Sequence, residues 1–288
     1  RNTFPFDPAQ VPTQQRDLVG IGAHYRLALG ERLFLSGTIR HDANSDFADA
    51  TTFALAGAWQ AGAGTRIHAS YGTGVTNPTF FEQFGFNPGT FTGNPDLTPE
   101  RARSIDIGIE QRIGGSLLVD VTWFDATLVD EITSLFPTVI NDTGTSRREG
   151  IELSARAERG TLRLSGSYTW LDATDPDGTR EVRRPRHAAS LDAAWRFGPQ
   201  DRGEIAAGAI FSGGLLDTDF RDFFSTFTAT KTRLDDYWVA RLSGSWRIGA
   251  SAQLFARVEN LFDRRYEEAL SYASPGLAAY GGLRVRLP

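Results

Sequence analysis

With 288 residues, 40% hydrophobic, 23% charged and a net charge of −5, the chain is neither disordered nor built like a helical membrane protein. No apolar run approaches the roughly 18 residues a spanning helix needs, and no block of like charge offers a nucleic-acid surface. Cysteine is absent, which excludes a disulfide framework, thiolate metal sites and a cysteine nucleophile.

From one end to the other the sequence alternates with a period of two, the pattern of strands with one apolar and one polar face. No amphipathic helical stretch interrupts it. Strands are predicted near 17–29, 31–41, 51–60, 64–74, 101–113, 115–129, 146–158, 161–172, 185–197, 202–213, 236–248, 251–262 and 277–287. Within them Ile105, Ile107 and Ile109 oppose Asp106, Gly108 and Glu110, and Leu162, Leu164, Gly166, Tyr168 and Trp170 oppose Arg163, Ser165, Ser167 and Thr169. Most reach about 10 residues, the length a tilted strand needs to cross a bilayer, whereas soluble strands centre on about five or six.

The connections alternate as well. Short ones sit at Gly30-Glu31, Ala61 to Gly64, Gly114-Gly115, Arg159-Gly160, Gly198 to Asp201 and Gly249-Ala250, and long ones at 42–50, 75–100, 130–145, 173–184, 214–235 and 263–276. Tight turns on one side and long loops on the other describe an all-β transmembrane antiparallel barrel, with its turns in the periplasm. Trp59, Tyr71, Trp123, Trp170, Trp195 and Trp246 fall toward strand ends, where interfacial girdles belong.

The first strand runs inward and the thirteenth also ends at the periplasmic side. A barrel with an even strand count then requires an odd number of strands before residue 1. With no methionine at position 1 and no signal peptide, the sequence reads as part of a longer product, and 1–288 as one piece of a single barrel domain.

Chemistry-bearing motifs are sparse. Asp42, Asn44, Asp46 and Asp49 have the oxygen-ligand spacing of a calcium loop, without its turn glycine or bidentate glutamate. His24, His41, His68 and His187 never fall at a tight ligand spacing. No nucleophile elbow, zincin motif or phosphate-binding glycine loop is present, so no catalytic residue is assigned. Arginines such as Arg163, Arg241 and Arg257 project to the polar face, where pairing with Asp106, Asp120, Glu152, Asp192 and Glu259 is expected.

Four segments resemble one family. They are Thr76 to Phe84 with Gly93 to Glu100; Asn141 to Leu153; Arg184 to His187; and Val258 to Tyr266 with Tyr272, Pro275, Gly276 and Tyr280. In that order they are similar to the C-terminal barrel of TonB-dependent outer-membrane receptors, most of all the vitamin B12 (cobalamin) branch. One departure is the ending Leu287-Pro288, where the family typically closes on an aromatic residue.

The resemblance implies a 22-stranded barrel, of which this chain would supply about thirteen strands, the others and the plug lying N-terminal to it. It implies a bacterial outer-membrane receptor that imports a scarce nutrient and is not an enzyme. Its partners would be TonB, engaged through the N-terminal part, outer-membrane lipid, and a corrinoid or ferric siderophore. A passive porin-like channel is the more distant reading. No cofactor and no nucleic acid are implied.

Loops carry the discrimination in such a scaffold, and aromatics suit a bulky, partly apolar ligand. The candidate ligand-binding residues are Phe84, Phe86, Asn87, Phe91, Phe220, Phe223, Phe224, Phe227 and Tyr272. Phe80 and Phe81, inside the first motif, are expected to pack the loop itself.

Overall fold

The computed structural model describes residues 13–221 and 229–286. Thirteen long strands form one antiparallel sheet in which every strand pairs with its chain neighbours. They are β1 (Leu18–Leu29), β2 (Leu33–Asn44), β3 (Ala50–Gln60), β4 (Thr65–Thr76), β5 (Glu100–Ile113), β6 (Leu117–Val129) and β7 (Thr145–Arg159). The sheet continues with β8 (Leu162–Thr174), β9 (His187–Phe197), β10 (Gly203–Gly213), β11 (Tyr237–Ile248), β12 (Ala252–Glu259) and β13 (Ala278–Val285). Each predicted strand is present, its ends displaced by a few residues. The second begins later because Gly30 turns at φ 62° and carries Glu31 and Arg32 into the turn. The twelfth stops at Glu259 because Asn260 takes a left-handed φ of 47°.

The alternating apolar pattern becomes a register of rows. Ile107, Trp123, Ile151, Trp170 and His187 lie side by side across β5 to β9 on one face, while Gly108, Thr122, Glu152 and Thr169 line the other. The apolar face has no protein against it: Ile21 is 75% exposed, Leu191 62% and Leu283 57%. In water so much bare aliphatic surface would be unfavourable, and in hydrocarbon it is the required exterior. All six predicted girdle aromatics are on this face. At the short-turn end Trp195 stacks near Phe197 (5.1 Å), which meets Trp246 (5.8 Å). At the long-loop end Tyr71 meets Phe53 (5.7 Å), and Trp238 sits edge-on to Phe262 (5.0 Å).

Within this chain the wall strands bury few side chains. The buried residues collect instead where the long loops leave the strands, among them Leu97, Val139, Leu215, Leu234 and Asn260. The loops have structure that alternation could not announce. Helix α1 (Phe80–Phe84) begins with a capping box between Thr79 and Glu82, correcting the expectation of a chain without helix. Short ribbons form at Phe86–Asn87 with Phe91–Thr92, Ile132–Leu135 with Thr138–Asn141, Leu216–Asp219 with Thr230–Arg233, and Glu267–Ala269 with Tyr272–Ala273.

Candidate functional site

The lumen side of the wall is polar and internally paired. His68 on β4 reaches over β5 to Asp120 on β6, with Nε2 2.8 Å from Oδ2. Only the absence of a side chain at Gly108 makes room, since a Cβ there would stand 2.5 Å from His68 Nε2 and 2.5 Å from Thr122 Oγ1. Arg241 on β11 crosses Gly208 of β10 in the same way to reach Asp192 on β9 at 2.6 Å. Arg163 meets Glu204 at 3.0 Å and Arg257 meets Glu259 at 3.2 Å. The expected arginine pairing therefore holds for Asp192 and Glu259. It does not hold for Asp106, which accepts from Ser70 Oγ at 2.8 Å, nor for Asp120, taken by His68.

Replacing Gly108 with valine is expected to destabilise the full-length barrel by about 1–3 kcal/mol, the usual cost of overpacking. At Gly72, where a Cβ would meet nothing within 4 Å, alanine is expected to be close to neutral. Urea unfolding in bilayers measures both; equal effects would mean that the crossing at Gly108 is not tight.

The extracellular rim is stitched in two sets. In the first, Arg16 donates to Pro78 O (2.9 Å), Gln83 Oε1 (2.6 Å) and Asp46 Oδ2 (3.2 Å), its guanidinium lying over Phe47 and Phe80. Asn94 Nδ2 donates to Val139 O (3.0 Å), and Asn141 bonds the backbone of Thr98 in both directions. These asparagines belong to the family-like segments, and here they dock the 77–99 loop on the 130–144 loop.

In the second set, Asp217, 1% exposed, accepts from Arg183 Nε (2.8 Å), Thr218 N (2.8 Å) and Leu270 N (2.7 Å), tying three loops together. Burial alone would push its carboxyl up. The Leu270 N–H, the Arg183 guanidinium and the Thr218 N–H outweigh that and hold it below the ordinary carboxylate value. Lys231 Nζ adds contacts to Asp175 (2.5 Å), Thr179 Oγ1 (2.6 Å) and Arg180 O (2.7 Å). Asn260 Nδ2 donates to Arg264 O (2.8 Å) and Pro275 O (3.1 Å), closing the last loop.

The candidate ligand residues divide between these sets. Phe84 is half-buried and 6.5 Å from Phe80. Phe91 gives one face to Phe81, stacked at 4.6 Å and 8°. Phe86 and Asn87 are exposed on the small ribbon, and Phe220 and Tyr272 are exposed on the second set at 57% and 75%. Phe223, Phe224 and Phe227 lie outside the described residues. As for calcium, Asp42 pairs with Arg40 and Asp46 with Arg16, while Asn44 Oδ1 and Asp49 Oδ1 accept backbone N–H groups. Among the described residues no group of three His, Cys, Asp or Glu stands ready for a metal.

Two features escape a sequence reading. One is Asp217, whose partners Arg183 and Leu270 are 34 and 53 residues away. The other is a hollow of about 280 Å³ between Ile210, Val239, Glu259, Tyr266 and Tyr280, assembled from four separate segments.

Comparison with known proteins agrees with this geometry. A TonB dependent receptor-like β-barrel family matches residues 2–261. The vitamin B12 transporter BtuB of Vibrio cholerae is 26% identical over 252 residues, covering 87% of this chain and 39% of that protein. The chain thus spans about two fifths of the curated relatives it matches. Among solved structures, the siderophore receptor PirA from Acinetobacter baumannii superposes with a TM-score of 0.78 at 14% identity, over 94% of this chain and 46% of that one. The copper transporter OprC gives 0.73 at 16%, over 94% and 48%. Lipid-facing wall, paired lumen, stitched rim and sequence match converge, and the chain belongs to the β-barrel family of TonB-dependent receptors, outer-membrane proteins of bacteria that act as receptors and transporters, not as enzymes.

Proposed function

We propose that the chain forms the C-terminal wall and outer rim of a receptor that imports a scarce nutrient, and that the nutrient is cobalamin. The observation carrying the ligand is the 26% identity to a vitamin B12 transporter, sustained over 252 residues. Exposed Phe86, Phe220 and Tyr272 beside polar loop backbone suit a bulky ligand with apolar and hydrogen-bonding faces. Wall residues would act as binding surface and conduit lining, and TonB would be engaged by a part of the protein N-terminal to this chain. Ferric siderophore import is the second reading, favoured by the fold likeness to a siderophore receptor. That likeness is shared with a copper transporter, so it does not choose among ligands.

The test is titration of the full-length receptor with cyanocobalamin and, separately, with ferric catecholate and ferric hydroxamate siderophores. Saturable binding of cyanocobalamin alone is expected. Saturable binding of a siderophore with none of cyanocobalamin would replace the first reading by the second. A gene encoding neither a plug nor a TonB-binding segment upstream of Arg1 would instead mean a passive channel.

A further inference from the structure

The two stitched sets of the rim meet at one side chain. Arg148 is on β7, on the same face as Ser146, Gly150 and Glu152, and stands at the top of the lumen. Its Nε donates to both oxygens of Glu181, at 2.9 Å and 3.1 Å, and its Nη2 lies 3.9 Å from Glu131 Oε1. Glu131 belongs to the 130–144 loop of the first set, and Glu181 to the 173–186 loop of the second.

Each acid is fixed within its own loop. Glu131 accepts the Ser146 hydroxyl on Oε2, and its carbonyl accepts Asp142 N at 2.7 Å. Glu181 N donates to Ala173 O at 3.0 Å, and its side chain, 8% exposed, also accepts from Arg184 Nε at 3.3 Å. Two residues on, Arg183 reaches Asp217, on which the second set converges. Among the described residues, every hydrogen bond and ion pair that joins the first set to the second passes through Arg148. The loops also touch where a Cβ on Gly144 would stand 2.9 Å from Pro176 Cβ, a contact without charge or direction.

The wall gives this arginine little to lean on. Beneath it the lumen face is cut back to Gly72, Gly74, Ala102, Ser104 and Ala126, which leaves a hollow of about 330 Å³. A Cβ on Gly72 or Gly74 would meet nothing within 4 Å. The guanidinium is therefore held in place by its carboxylates, and it is free to follow whichever loop moves. Charge-assisted hydrogen bonds are roughly twice as strong as neutral ones, so the tie to buried Glu181 transmits a displacement before it breaks.

We propose that Arg148 is the coupling residue of the rim, a charged tie through which ordering or loosening of one loop set is felt by the other. Such coupling is reciprocal, since it is a free energy shared by the two sets. A solute seated against either set then draws on both, without touching Arg148 itself.

The experiment measures hydrogen exchange by mass spectrometry on the full-length receptor in lipid nanodiscs, with no solute added. The first set is loosened by Asn141→Ala, which removes the bonds to the Thr98 and Asp130 backbone. In the otherwise wild-type receptor, exchange is expected to rise several-fold in 77–99 and 130–144 and also in 173–184. In an Arg148→Met background, the same change is expected to leave 173–184 at the rate that Arg148→Met alone gives it. Because Arg148→Met deprives the buried Glu181 of a partner, the cycle is repeated in Arg148→Met/Glu181→Leu, which leaves no charge buried there. That background is expected to be uncoupled as well, with unchanged protection of β7 and β8 showing that the wall is folded. No rise in 173–184 in the wild-type background would overturn the coupling. An undiminished rise in either Arg148 background would overturn Arg148 as its carrier.

Discussion

Leu191→Arg is expected to destabilise the full-length barrel in a bilayer by roughly 2–4 kcal/mol, while Ser190→Arg, one residue away, costs within about 1 kcal/mol. Leu191 is near the middle of β9 on the lipid side, opposite Gly166 and Ala209. A guanidinium there must lose its hydration or drag water into the hydrocarbon. Ser190 faces the lumen, where its hydroxyl meets Ser167 at 2.8 Å and an arginine can stay wet. Reversible unfolding in lipid vesicles separates the two faces. Similar penalties at both positions would mean that the alternation does not mark lipid and lumen.

Asp217→Ala is expected to release the second rim set without unfolding the wall. It leaves the Leu270 and Thr218 N–H groups without their acceptor, at about 1–3 kcal/mol for each buried orphan. Hydrogen exchange should accelerate across 175–186, 214–219 and 267–273, while β7 to β9 keep their protection. Acid should imitate the substitution. A carboxyl held below its ordinary value of 3.8 stabilises the docked state above that value, and the gain is lost as pH falls through the lower folded-state value. Rim protection should therefore be constant from neutral pH down to about 4 and decline below it. A decline centred near pH 6 would point to a histidine instead.

What the sequence disclosed follows from the range of each interaction. Wall strands were legible because a two-residue period is local and each face has one solvent to satisfy. Even Trp59 and Trp246 could be placed from position alone. The rim was not, since Asp217, Lys231 and Asn94 act on partners dozens of residues away and nothing in their neighbours marks them. The five-residue helix α1 is too short for a 3.6-residue pattern to show. Among the candidate ligand residues, Phe91 stacks one face on Phe81, a contact that composition cannot register. The lumen carboxylates Asp106 and Asp120 were correctly faced and wrongly partnered: Ser70, directly opposite, donates to Asp106, and Gly108 lets His68 reach past the nearest strand to Asp120.

The gathering of buried side chains at the rim, and not in the wall, has a bearing on how substitutions combine. Wall positions share few neighbours, so changes at separate sites should sum, and that surface is free to drift provided each face keeps its polarity. Rim positions share acceptors and backbone donors: Asp217 alone joins Arg183, Thr218 and Leu270. Changes there should be strongly epistatic, so a new ligand preference is reached through co-ordinated replacements in several loops and not by single steps.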